Sequence, residues 1–147
     1  MGSTCTDLTR KPVVVSVTPP DREFHELPQD WAMSSELSAE LLRRSKEPFQ
    51  WPRETCARVH VVDEAQIEAL FANDDRKPPG WENFQNAFPG SIGLTRISLP
   101  AFTANHDRAV VYEEWTCGPL CGTGLYVELK KRRGSWHVTK KAAAWIS

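Results

Sequence analysis

Two strand-forming runs, Ala109 to Trp115 and Leu125 to Lys130, border the stretch Trp115-Thr116-Cys117-Gly118-Pro119-Leu120-Cys121-Gly122-Thr123-Gly124. Its ten residues hold two of the four cysteines and three of the eight glycines. Proline removes a backbone donor and glycine accepts tight geometry, so the chain must reverse here. A reversal between two strand-like runs is a β-hairpin, and it holds both thiols near its turn. Cys117, Gly118, Leu120, Cys121, Gly122 and Gly124 are therefore the candidate binding turn.

Similar signals divide the last third into four β-like segments: Gly93 to Phe102, Arg108 to Cys117, Gly124 to Arg132 and Ser135 to Ile146. The turns between them are Ala104-Asn105-His106-Asp107, Gly118-Pro119-Leu120 and Arg133-Gly134. Side chains alternate along a strand. Val111, Glu113, Trp115 and Cys117 thus share a face, as do Leu125, Val127 and Leu129. Sequential strands joined by short turns pair as neighbours, so the expectation is a four-stranded antiparallel meander.

Helical spacing precedes it. Ser34 to Lys46 carries Leu37, Leu41 and Leu42 on one stripe, with Glu36 and Glu40 early and Arg43, Arg44 and Lys46 late, as the helix dipole favours. Asp63 caps a second helix through Phe71, with Gln66 at the reciprocal capping-box position and Ile67, Leu70 and Phe71 facing inward. Trp81, Phe84 and Phe88 recur at three and four in a third, which stops at Pro89-Gly90. Ala57 to Val62 and Lys11 to Val17 read as short strands. Helices first and strands after give an α+β fold, with the helices on one side of the sheet. By analogy it is of the cystatin or NTF2-like kind.

At 147 residues the chain fits one domain, placed at 31–147 behind a poorly ordered or extended segment, 1–30. A net charge of −1 is distributed unevenly: residues 107–147 hold seven basic side chains against four acidic ones. The basic residues gather at Lys130-Lys131-Arg132-Arg133-Gly134, which reads as a solvated turn. A nucleic-acid site needs a wider basic surface and a readable motif, and none is expected here. No apolar run is long enough to span a membrane, and no signal-peptide core follows Met1. The chain is expected to be cytoplasmic, or an exported protein trimmed of its signal. Met1-Gly2-Ser3-Thr4-Cys5-Thr6 fits the loose myristoylation pattern, and Gly2-Ser3 equally fits a vector scar.

Cys117-Gly-Pro-Leu-Cys121 invites comparison with the Trp-Cys-Gly-Pro-Cys signature of thioredoxins. It has one residue more between the thiols. The segment after Cys121 is strand-like, whereas the redox motif opens a helix whose N-terminus lowers the thiol pKa. A disulfide between Cys117 and Cys121 across the hairpin, or two reduced thiols, fits the spacing better. Zinc could draw on Cys117, Cys121, Cys56 and His60, but Cys56 and His60 at i and i+4 on a strand make a poor knuckle. No metal and no cofactor is assigned. Glu113 and Glu114 are adjacent on a strand and point to opposite faces, so they form no catalytic pair, and one of them should face the covered side. The glycines of the turn are not a phosphate loop; they are read as supplying positive φ and a bulge. No catalytic residue is assigned.

The chain from about Val59 to Ser147 resembles a group of uncharacterised bacterial proteins. The likeness rests on Trp81-x-x-Phe84, Phe88-Pro89-Gly90-Ser91-x-Gly93, Cys117-Gly118-x-Leu120-Cys121-Gly122-x-Gly124-x-Tyr126-Val127-x-Leu129 and Gly134-x-Trp136. The group has no assigned activity, so the resemblance implies a shared domain and no catalytic residues.

Two function classes remain. One is a non-enzymatic binding or interaction module using the Cys-Gly turn and its aromatic surroundings. The other is a thiol-dependent enzyme or redox protein centred on Cys117 and Cys121. The sequence names neither ligand, partner nor oligomeric state.

Overall fold

The computed structural model describes residues 13–16, 34–45, 47, 59–72 and 79–147. Among the described residues three helices and seven strands are formed: β1 (Val13–Ser16), α1 (Ser34–Ser45), β2 (Val59–Val62), α2 (Glu64–Phe71), α3 (Gly80–Ala87), β3 (Leu94–Ile97), β4 (Ala101–Phe102), β5 (Arg108–Gly118), β6 (Cys121–Arg132) and β7 (Ser135–Ile146). The fold is α+β, as expected. The strands make one sheet in the order β2-β1-β3-β5-β6-β7, with β4 also paired to β5. β3, β5, β6 and β7 are the antiparallel meander. β1 and β2 extend it in parallel, β1 lying between β2 and β3. Cys5, Cys56 and the myristoylation-like pattern lie outside the described residues.

Register decides which face each residue occupies. Leu94 is opposite Thr116 and Arg96 is opposite Glu114. Tyr112 is opposite Tyr126, and Val110 is opposite Glu128. All of these share one face, and all three helices cover it. α1 sets Leu37 and Leu41 against Ala101, Val110, Tyr112 and Tyr126. α2 and α3 set Ile67 and Phe84 against Val62 and Leu94. Leu42, placed on the α1 stripe by spacing, is instead 45% exposed, because a two-leucine face already fills the space over the sheet.

Local chemistry fixes the elements. Asp63 accepts from the Gln66 backbone N–H at 2.8 Å, and the Gln66 side chain accepts from the Asp63 N–H at 2.9 Å, so the expected capping box closes α2 at its start. Asn83 donates to the Leu70 carbonyl at 2.8 Å, tying α3 to the end of α2. Phe84 has no exposed surface and meets Trp81 and Phe88 with both ring centroids 5.3 Å away. The strand expected over Gly93 to Phe102 is broken into β3 and β4. Pro100 lacks the donor a continuous ladder requires, and β3 ends before Ser98, whose hydroxyl accepts from the Tyr112 N–H at 2.9 Å. Among the described residues no helix is long and apolar enough to cross a membrane.

Candidate functional site

The hairpin between β5 and β6 closes with Gly118 opposite Cys121, leaving Pro119 and Leu120 as a two-residue turn. The expected three-residue connection is thus shorter by Gly118, which joins the ladder. The extra residue sits one step back: the register shifts between Thr116 and Gly118, so Cys117 is the unpaired residue of a β-bulge. Cys117 and Cys121 are disulfide-bonded with their Cα atoms 5.1 Å apart. Among the described residues no cysteine is free. Both half-cystines are half-buried, and Leu120 at the apex is 87% exposed.

Gly122 and Gly124 serve another purpose than the one expected. Neither has positive φ; both are extended strand residues. A Cβ at Gly124 would run into the indole of Trp145 and the Tyr112 hydroxyl, and one at Gly122 would press tightly on the Trp115 carbonyl and the same indole. Glycine here is clearance, and Trp145 fills it. The β7 end is held to the same place, since Ser147 donates its N–H to the Gly122 carbonyl at 3.0 Å.

Beneath the turn this indole begins a chain of polar contacts. Trp145 Nε1 donates to the Tyr112 hydroxyl at 2.7 Å, and that hydroxyl donates to Glu114 Oε2 at 3.3 Å. Glu114 Oε1 faces Arg96 Nη1 at 3.8 Å, and Arg96 Nη2 reaches Glu64 Oε1 at 3.2 Å, in the first turn of α2. The chain crosses from β7 to α2 between the two hydrophobic clusters. Glu114 is buried, and of the adjacent pair it is the one on the covered face, as alternation requires. A buried carboxylate is costly unless it is paired and hydrogen-bonded, and this one has both an O–H donor and a guanidinium. Burial, with the neighbouring Tyr112 adding to it, pushes the Tyr126 phenol up to about 12.

The structure therefore brings Cys117, Gly118, Leu120 and Cys121 together at an exposed, cross-linked turn. It places Gly122 and Gly124 under Trp145. The residues that sequence reading missed are Tyr112, Trp145, Arg96 and Glu64. Two glycines at i and i+2 on one strand face were the available signal, because they call for a large ring across the sheet. Of the zinc candidates, His60 and the disulfide-bonded Cys117 and Cys121 are described, and no group of three or more potential ligands forms among the described residues. At the far end of β6 the basic turn is exposed, with Lys131 Nζ lying 5.8 Å from the Trp136 ring centroid.

Compared with known proteins, the chain matches no family model, no curated protein and no solved structure.

Proposed function

We propose that this domain is a non-enzymatic interaction module whose contact element is the disulfide-closed turn. The observation that carries the reading is Leu120, a large apolar side chain 87% exposed at the apex of a turn held by a covalent bond. A cross-link that closes so short a loop removes little chain entropy, so its main effect is to fix shape. A fixed loop loses less freedom when it docks, which favours binding. The buried polar chain below is internally satisfied and supports the turn through Trp145. The proposed kinship with the bacterial group agrees with this reading, because its Cys117, Leu120 and Cys121 motif positions are the ones that build the turn.

The alternative, a thiol-dependent enzyme or redox protein centred on Cys117 and Cys121, requires a disulfide that is readily reduced to a reactive thiolate. Thiol titration of a Cys5→Ser, Cys56→Ser variant separates the two. The module should react with a maleimide only after reduction, and a photo-crosslinking residue at position 120 should give adducts that one at position 133 does not. A fast-reacting thiol in the untreated protein, titrating below the usual cysteine range, would contradict the reading and favour the enzyme.

A further inference from the structure

Charge is absent from one end of the sheet. Three runs of the chain hold no Asp, Glu, Lys, Arg or His: 83–95, 115–127 and 142–147. Together they make 32 residues, in which the chain's average of 25% charged would place about eight charges. The ladder gathers these runs at one pole. Leu94 lies opposite Thr116 and Thr116 opposite Gly122, and Gly122 exchanges backbone hydrogen bonds with Ser147. The next row inward, Thr95, Trp115, Thr123 and Ile146, is also uncharged. Across β3, β5, β6 and β7 charge begins only in the third row, where Arg96 lies opposite Glu114 and the two side chains face each other at 3.8 Å.

Beyond these rows the chain protrudes. Pro119 and Leu120 form the apex of the disulfide-closed turn, and Pro89 and Gly90 are exposed on the link from α3 to β3. Among the described residues the two most exposed large hydrophobic side chains are Leu120 at 87% and Ile146 at 78%, and both belong to this pole. Leu120 stands four residues beyond Gly124, which shares the row of Glu114, so the uncharged layer is about 13 Å deep.

A protein partner and a lipid surface ask different things of an apolar contact. A protein covers it with a pocket and a polar rim. Here the apolar side chains stand on protruding points, and among the described residues no charge surrounds them to meet a rim. A bilayer takes protruding apolar groups and excludes charge through the depth inserted, because charges there are costly. Interfacial elements enter about 5–10 Å, which the uncharged layer exceeds. The disulfide fixes the turn before it meets the lipid, so little freedom is lost on insertion.

We infer that this pole docks on a phospholipid bilayer, with Leu120 and Ile146 entering its interface. The inference rests on the reading of the disulfide-closed turn as the contact element and names its partner. Two aliphatic side chains bury less than one myristoyl chain, so binding is reversible and half-complete only at about 1 mM lipid. It should resist salt, because the inserted layer is uncharged.

Co-sedimentation of the full chain with phosphatidylcholine vesicles, up to about 10 mM lipid, tests it. Leu120→Glu should lower partitioning about tenfold or more with unchanged circular dichroism, since the residue is exposed. Leu120→Trp should keep or raise it, as indoles favour the interface. Lys131→Glu, near the far end of β6, should leave it unchanged. No binding at the highest lipid concentration would overturn the inference. So would binding that survives Leu120→Glu, a Leu120→Trp protein that binds no better than the Glu variant, or binding that requires anionic lipid and is lost in high salt. A photo-crosslinking residue at position 120 separates this failure from that of the contact turn itself. Coupling to a protein while vesicles stay unbound would reject the bilayer and keep the turn as contact element, whereas coupling to neither lipid nor protein would reject both.

Discussion

β6 is bounded by two hairpin turns of the same length, and they are built differently. At one end Arg133 and Gly134 both have positive φ, 51° and 79°. Two such residues form a turn whose twist matches the strands it joins, and nothing else is needed to hold it. At the other end Pro119 and Leu120 have no positive φ, so their turn tends to splay the strands. Here the chain adds a bulge at Cys117 and a covalent bond to Cys121. The first turn is held by backbone conformation, and Lys131, Arg132 and Arg133 beside it are exposed. The second requires a cross-link, and in return presents Leu120 in a fixed place.

Mutations can break or sharpen this contrast. The largest effect should come from neither turn. Phe84→Ala removes a fully buried ring and should cost about 3–5 kcal/mol, read as a drop in the denaturant midpoint. This sets the scale for core loss. Next is Gly124→Val, which drives a branched side chain into Trp145 and Tyr112. It should cost about 2–3 kcal/mol by overpacking, and the near-ultraviolet circular dichroism of the tryptophans should change with it.

Cutting the cross-link should cost less. Cys117→Ser with Cys121→Ser is expected to lower stability by about 2 kcal/mol, the low end for a disulfide, because the loop is short. Amide exchange should rise at Gly118 to Gly122 and stay unchanged at Arg132 to Ser135. Equal loosening of both turns would erase the contrast. Gly134→Ala should cost about 1 kcal/mol, since a Cβ is disfavoured at this φ. The smallest effect is Arg132→Ser at the exposed basic tip, within about 0.5 kcal/mol by thermal melting.

Much of the architecture was legible in the chain. Short-range chemistry announced the α2 capping box, the aromatic spacing of α3, the Arg133-Gly134 turn and the separation of Glu113 from Glu114. Proximity in sequence also brought Cys117 to Cys121. Other features depended on distant residues. Nothing near Val13 or Val59 reveals that β1 inserts in parallel between β2 and β3, because that pairing is made with strands far along the chain. The purpose of Gly122 and Gly124 was misread for the same reason. Their glycine character answers Trp145, more than twenty residues away, and a local reading offered only turn geometry.

Periodicity, capping and turn residues are local quantities, and by themselves they determined the helices, the antiparallel hairpins and the disulfide-bearing turn. Only the tertiary structure decided which sheet face the helices cover. Both faces are apolar, so alternation alone gives two equivalent answers. Packing of Leu37, Leu41, Ile67 and Phe84 against the face that carries Tyr112 and Leu94 breaks the tie. That choice buries Glu114 beside Arg96 and leaves Glu113 and Lys141 on the side away from the helices.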